Sequence, residues 1–229
     1  GFTVFAFLWI ILTSFKSNRE LFANVWSWPT ILHLENYQKA WGVSRMGPYF
    51  LNSLVVVTLA TVGLVVISAP ASYVLSRVAF RGREAVTQLF VGGMGIPRAM
   101  LLVPMFMILE AFGLTDSLLG LGTVYVAISL PFTVFMLTAF FGSLPSELEE
   151  AAAIDGASSF TTFLQVMLPL AGPGLSTAFI FNFIWLWKDY FWALVLISSD
   201  AKKVISLGLY GLQGSMQYSA DWVGLFAGC

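Results

Sequence analysis

Three carboxylates, Glu147, Glu149 and Glu150, open a polar segment that lies between two long apolar stretches of the chain. Ser146 precedes them in a Ser-x-x-Glu pattern. This pattern predicts a capping box, in which the Ser146 hydroxyl and the Glu149 carboxylate each accept a backbone N–H. Carboxylates in the first turn of a helix are stabilised by the positive end of the helix dipole. The alanines that follow have a high helix propensity and would continue the helix. The chemistry indicated is docking, by a short helix over 146–158 that offers a small apolar face with acids beside it.

A solvated loop helix without a partner would carry the same cap and charges, so the wider spacing has to distinguish the two interpretations. Three features follow one another along this segment: Glu150-Ala151-Ala152, then Gly156 after three residues, then Val166-x-Leu168-Pro169 after nine more. Gly156 would end the helix or permit close contact with another surface. The arrangement resembles the cytoplasmic "EAA" loop by which membrane subunits of bacterial ATP-driven (ABC) importers bind their ATPase. Val166, where isoleucine is frequent, is a conservative departure.

That resemblance implies ATPase-coupling residues, which all lie in or just after this loop. They are Glu149, Glu150, Ala151, Ala152, Asp155, Gly156, Leu168 and Pro169. Further motifs along the chain resemble the maltose-type, carbohydrate-uptake branch of importer permeases, and within it the smaller partner of a permease heterodimer. They are Thr13-Ser14-Phe15-Lys16, Glu35-Asn36-Tyr37, Asn52-Ser53, Ala71-x-Tyr73-x-x-Ser76-Arg77-x-x-Phe80-Arg81-Gly82 and Trp187-x-Asp189-Tyr190. Lys188 replaces the asparagine usual in the last motif.

Charged side chains inside apolar segments form the second group that could do chemistry. Such residues are costly in lipid and therefore informative. The candidate substrate-path residues combine these charges with neighbouring aromatics: Arg98, Trp185, Lys188, Asp189 and Tyr190. Aromatic rings and polar groups suit a sugar path between two permease subunits, and Lys188 and Asp189 are expected near that interface. The same composition suits a tightly packed helix interface in which Lys188 and Asp189 pair or extend to the membrane surface.

The motifs of several enzyme classes do not occur in the sequence. There is no G-x-x-x-x-G-K-[ST] loop for phosphate, no nucleophile elbow and no HExxH zinc motif. His33 and Cys229 are the single histidine and the single cysteine, too few for a metal cluster or an internal disulfide. We therefore predict no catalytic site, no metal site and no cofactor bound by this chain. The net charge of −1 indicates no nucleic-acid partner.

The composition requires a membrane, because 58% of residues are hydrophobic, 10% are charged, and the mean hydropathy is +0.84. Apolar runs long enough to span a bilayer, without the alternation of barrel strands, predict an all-α, polytopic transmembrane helical bundle. The resemblance implies a single permease domain over 1–229 with the type I importer permease fold and six spans, the first and last incomplete. The segments expected to span are 2–15, 49–77, 84–112, 118–141, 174–197 and a sixth starting near Trp222. The third of these is expected to be broken by its glycines and prolines, Gly92, Gly93, Gly95, Pro97 and Pro104.

Charge alone leaves the topology ambiguous, and the resemblance places 16–47 outside the cytoplasm and 143–171 inside it. It implies a multi-pass protein of the bacterial plasma membrane that imports a sugar or oligosaccharide. The implied partners are a homologous second permease, dimeric ATP-binding subunits that hold ATP and Mg²⁺, an extracytoplasmic solute-binding protein, and membrane lipid. Alternatives are a permease for a glycerol phosphodiester or polyol, a secondary transporter, and a membrane-embedded enzyme. A secondary transporter is expected to show an internal repeat, and the sequence shows no convincing one. An enzyme is expected to show a cluster of catalytic groups, and the sequence shows none.

Overall fold

A computed structural model describes residues 1–43, 45–219 and 222–228, and within these ranges all regular structure is helical, as predicted. The helices in chain order are α1 (Phe2–Ser14), α2 (Asn18–Ala23), α3 (Glu35–Gln38), α4 (Met46–Arg77), α5 (Arg83–Met94), α6 (Leu102–Ala111), α7 (Leu118–Ser143), α8 (Glu147–Ile154), α9 (Ser159–Thr162), α10 (Leu168–Leu170), α11 (Gly172–Trp187), α12 (Phe191–Leu196), α13 (Ile205–Ser219) and α14 (Trp222–Gly228). A π-helical turn, Phe163–Met167, joins α9 to α10. Cys229 lies outside the described residues.

Two helices are long and apolar enough to cross a bilayer: α4, with 32 residues, and α7, with 26. Both confirm expected spans. Two further pairs of helices qualify only if each bent pair is one span. Arg83–Met94 meets Arg98–Ala111 at 102°, and Ser159–Leu170 meets Gly172–Trp187 at 68°. The described residues thus hold two to four candidate spans, and the count of six stays a prediction.

The structure confirms the predicted break in one expected span and corrects a second span, which was expected to be continuous. The span expected at 84–112 is interrupted between Met94 and Arg98, where Pro97 has no N–H to continue the ladder of helical hydrogen bonds. The span expected at 174–197 stops at Trp187, and a separate short helix, α12, starts at Phe191. The interruption therefore falls on the two charged residues of that segment.

The chain forms two compact units, Gly1–Leu54 with Ala193–Cys229, and Val55–Trp192. In the first unit, Ser17 and Glu20 form a capping box at the start of α2. Glu20 also accepts hydrogen bonds from Thr30, and these bonds, led by the one from the Ser17 N–H, lower the pKa of Glu20 to about 2. The segment 16–47 also contains α3, which continues into a π-helical turn, Lys39–Val43.

Two motifs noted in the sequence have structural partners in this first unit. Asn36 Nδ2 donates to the carbonyl oxygens of Ser14 (2.9 Å) and Lys16 (3.0 Å), which ties α3 to the end of α1. Asn52 Nδ2 donates in the same way to the carbonyls of Ala201 (2.9 Å) and Lys203 (2.8 Å). These asparagines therefore satisfy loop carbonyls that would otherwise lack donors.

In the second unit, a buried aromatic and aliphatic cluster connects α4, α7, the π-helical turn and α11. Its members are Tyr73, Leu137, Phe141, Phe163, Met167, Ala171 and Ala178. Gly174 allows α11 to approach α7 closely, since a Cβ there would lie 2.5 Å from Cγ of Phe140. This packing holds the polar loop after α7 firmly against the long helices.

Candidate functional site

The predicted short helix after α7 exists as α8, Glu147–Ile154, within the expected range 146–158. The capping box at its start was predicted wrongly. Ser146 has helical φ and ψ and makes no side-chain cap. The Glu149 carboxylate accepts instead from the Tyr73 hydroxyl (2.8 Å) and lies 3.4 Å from Nη1 of Arg77. A cationic and a phenolic donor outside the helix have displaced the local cap.

Arg77 connects three helices at this point. Its Nε and Nη2 donate to the Phe141 carbonyl at 3.1 and 2.7 Å, and Nη2 also donates to the Leu144 carbonyl. Carbonyls at a helix C-terminus lack partners within the helix, so Arg77, on α4, caps α7 and at the same time pairs with Glu149 on α8. We name the set of Arg77, Glu149 and Tyr73 the Arg77 clasp.

The end of α8 follows the prediction for Gly156. This residue has φ +80°, a conformation that favours glycine. The Gly156 N–H donates to Ala153 (3.1 Å), and the Ala157 N–H donates to Ala152 (2.9 Å), the paired bonds of a Schellman motif. Ser158 then caps α9 through the Thr161 N–H. Both ends of the loop helix therefore have a defined geometry.

The implied coupling residues divide into two groups. Glu149 is half-buried in the Arg77 clasp, Ala152 is buried, and Leu168 packs against the core cluster. The others are exposed: Glu150, Ala151, Asp155, Gly156 and Pro169. Their role in coupling to an ATPase remains a prediction.

Two large apolar side chains beside the exposed group were missed by the sequence reasoning. Ile154 is 86% exposed and Phe160 is 70% exposed. Their positions on either side of Gly156 were visible in the sequence, but no pattern indicated that both would face outward. We name the set of Glu150, Ala151, Asp155, Gly156, Ile154 and Phe160 the coupling surface.

A second feature lies between α7, α11 and the break before α6. It is a cavity of about 220 Å³, here named the Trp185 cavity, with a lining of Arg98, Ile128, Ser129, Phe132, Phe181, Asn182 and Trp185. The Arg98 Cζ lies 4.7 Å from the centre of the Trp185 ring, and the Lys188 Nζ lies 4.8 Å from it. Both are cation–π distances. The structure thus brings together three of the five candidate substrate-path residues.

Asp189 and Tyr190 do not line this cavity. The Asp189 carboxylate accepts from the Tyr125 hydroxyl (3.2 Å) and from the Trp192 N–H (3.1 Å) at the start of α12. It therefore caps α12, as an aspartate before a helix commonly does. Tyr190 is half-buried. The placement of this segment near a second permease subunit stays a prediction.

The cap at Asp189 leads to a test of stability. We expect Asp189→Ala to lower the free energy of unfolding by about 1–2 kcal/mol, since it removes an N-cap and leaves Tyr125 without this acceptor. Asp189→Asn keeps a capping oxygen and should retain most of the stability. Thermal unfolding of both purified variants in detergent measures the difference. Equal losses for the two variants would contradict the capping role.

Comparisons with known proteins agree with this architecture. Residues 65–228 match the family described as binding-protein-dependent transport system inner membrane component. A diacetylchitobiose uptake system permease of Streptomyces coelicolor is 40% identical, over 96% of this chain and 73% of its own length. A sulfoquinovosyl glycerol transport system permease of Agrobacterium fabrum is 33% identical, over 94% and 76%.

The fold also has a solved counterpart. A bacterial ABC transporter involved in the import of the acidic polysaccharide alginate superposes with a TM-score of 0.83, at 22% identity, over 99% of this chain and 83% of that one. Fold and loop helix together define a polytopic membrane permease subunit. The chain belongs to the family of binding-protein-dependent transport system inner membrane components, and is an inner-membrane ABC importer permease.

Proposed function

We propose that this permease subunit imports a sugar or oligosaccharide, and that separate ATPase subunits, which bind ATP and Mg²⁺, drive it by docking on the coupling surface. One observation carries the proposal: Ile154 and Glu150 of α8 are exposed, while the neighbouring Glu149 is held to α4 in the Arg77 clasp. A helix that is held to its own subunit and exposes apolar and acidic side chains could bind in a groove on a partner protein. The Streptomyces relative, a diacetylchitobiose uptake system permease, supports a sugar as the solute.

The remaining partners follow from the same proposal. A homologous second permease would complete the path through the membrane, and an extracytoplasmic solute-binding protein would deliver the solute. ATP binding would close the ATPase dimer, and α8 would carry that movement into α4 and α7 through the Arg77 clasp. The driving free energy has to come from a partner that binds two states of the permease with different affinity.

The test is reconstitution of the permease pair with its ATPase and binding protein in lipid vesicles. We expect ATPase subunits to co-purify with the permease, and one sugar of a panel to raise ATP hydrolysis and to enter the vesicles. A panel of polyols and glycerol phosphodiesters serves as the comparison. Stimulation by one of these and by no sugar would overturn the choice of solute, and absence of any co-purified ATPase would overturn the docking role.

A further inference from the structure

Two positive charges lie near Trp185: Arg98 lines the Trp185 cavity, and Lys188, which is not a lining residue, approaches the same ring. Arg98 and Lys188 both approach the Trp185 ring, and neither forms an ion pair with a carboxylate in the described part of the chain. The residues that line the cavity include no acid. Cations within apolar segments require water or an anion next to them. The positions of these two therefore indicate a wet cavity with a positive potential.

The cavity also presents polar groups that are held in place and still available. Asn182 is buried, and its Nδ2 donates to Thr133 Oγ1 (3.0 Å) and to the Ala178 carbonyl (2.8 Å). These bonds orient the amide, and its Oδ1 accepts no hydrogen bond from the described residues. Ser129, also buried, likewise has a hydroxyl without a described partner. A serine hydroxyl and an amide oxygen together can bind the hydroxyls of a solute.

Aromatic rings form the remaining walls. Phe132 and Phe181 lie with ring centres 5.4 Å apart, and Trp185, which both cations approach, also lines the cavity. Rings of this kind pack against the C–H faces of a sugar, and mostly apolar walls with a few placed polar groups are typical of small-molecule sites. The volume of about 220 Å³ suits one sugar ring.

The backbone supports a solute site at this position. Arg98 starts the short 3₁₀ turn at the break between α5 and α6, and Lys188 follows the end of α11. Irregular backbone at membrane depth is tolerated where it lines a water-filled cavity, and interrupted helices often mark solute sites. Both breaks therefore place a cation beside the same tryptophan.

We propose that the Trp185 cavity binds a sugar ring that carries an acidic group, with the anion on Arg98 and Lys188, the hydroxyls on Ser129 and Asn182, and the ring face on Trp185. This inference rests on the proposed function, and it narrows the substrate class to anionic sugars. A guanidinium binds a carboxylate through two parallel hydrogen bonds, which makes Arg98 the main determinant of the preference for an anion.

The test uses the assembled permease–ATPase complex in lipid nanodiscs without the binding protein, so that only the membrane path selects. The probes are three pairs of radiolabelled disaccharides, with glucose, galactose or mannose in the neutral member and the corresponding uronate in the anionic one. We expect at least one uronate to bind about tenfold or more tightly than its neutral partner. Arg98→Gln should abolish this preference, Arg98→Lys should keep part of it, and Arg19→Gln, at an exposed arginine on α2, should leave it unchanged.

A second measurement needs no variant. Raising the salt concentration should reduce the wild-type preference for the uronate, because salt screens accessible charges. Binding of no uronate in preference to its neutral partner would overturn the proposal, as would a preference that survives Arg98→Gln. Loss of the second permease from the Arg98→Gln complex, with sugar binding unchanged, would also overturn it, since the anion would then be a side chain of that subunit. Co-purified ATPase, measured on the same sample, reports separately on the proposed function.

Discussion

Arg77→Gln is expected to uncouple ATP hydrolysis from transport. The Arg77 side chain is 13% exposed and that of Glu149 is 22% exposed, so removal of the cation leaves a half-buried carboxylate without its cation and two helix-end carbonyls without their donor. A poorly solvated acceptor left without its donor costs about 1–3 kcal/mol. Because Arg77 holds α8 to α4 and α7, α8 should no longer keep a fixed position relative to these two helices. Solute uptake and ATP hydrolysis in the same vesicles then show hydrolysis without the matching uptake.

Variants at the same positions separate this coupling role from general destabilisation. Glu149→Gln keeps an acceptor for Tyr73 and loses only the charge, so its effect should be smaller than that of Arg77→Gln. The double variant should cost less than the sum of the two single ones, because both act on one interaction. Glu150→Gln, on the exposed side of α8, is the control, because it removes a carboxylate charge and leaves the Arg77 clasp intact. Additive losses of stability in the double variant would show that Arg77 and Glu149 act independently.

The clasp shows where sequence reasoning on this chain succeeds and where it stops. The helical character of α8 and its end at Gly156 follow from local residue preferences, which the sequence displays directly. The capping box was predicted wrongly because the competing partners of Glu149 are Tyr73 and Arg77, 76 and 72 positions earlier. A pattern of neighbouring residues cannot show that distant side chains compete for Glu149. The spacing of Tyr73 and Arg77 by one helical turn did indicate that both lie on the same face of α4.

The candidate solute site was predicted in part for a similar reason. Charges in an apolar segment are conspicuous, so Arg98 and Lys188 were identified from the sequence. The directions of their side chains depend on the two helix breaks, and composition gives those breaks only roughly. Asp189 was grouped with Lys188 by adjacency, yet it caps α12 while Lys188 turns to Trp185. Ser129 and Asn182 were missed because small polar residues in a span are common and their burial depends on the packing of α7 with α11.

Ile154→Asp is expected to reduce the ATPase that remains bound to the permease by at least about tenfold. Ile154 is 86% exposed at the end of α8, and Phe160, 70% exposed, follows at the start of α9. In a docked complex these side chains would enter an apolar groove, and a carboxylate buried there without a partner costs several kcal/mol. The fold of the permease should not change, because Ile154 makes little contact with its own chain. Co-purification of the ATPase, followed by titration with added ATPase, measures the loss.

Further variants of Ile154 and of its neighbours test whether the loss of bound ATPase comes from burying a charge in an apolar groove. Ile154→Val keeps an apolar side chain of similar shape and should retain nearly all of the bound ATPase. Phe160→Asp should act in the same direction as Ile154→Asp if both residues share one groove. Asp155→Asn removes an exposed charge beside Ile154 without burying a new one, and should have a smaller effect. Full ATPase binding by Ile154→Asp and by Phe160→Asp would place the docking groove elsewhere, whereas loss in both with a normal thermal stability would locate it on this surface.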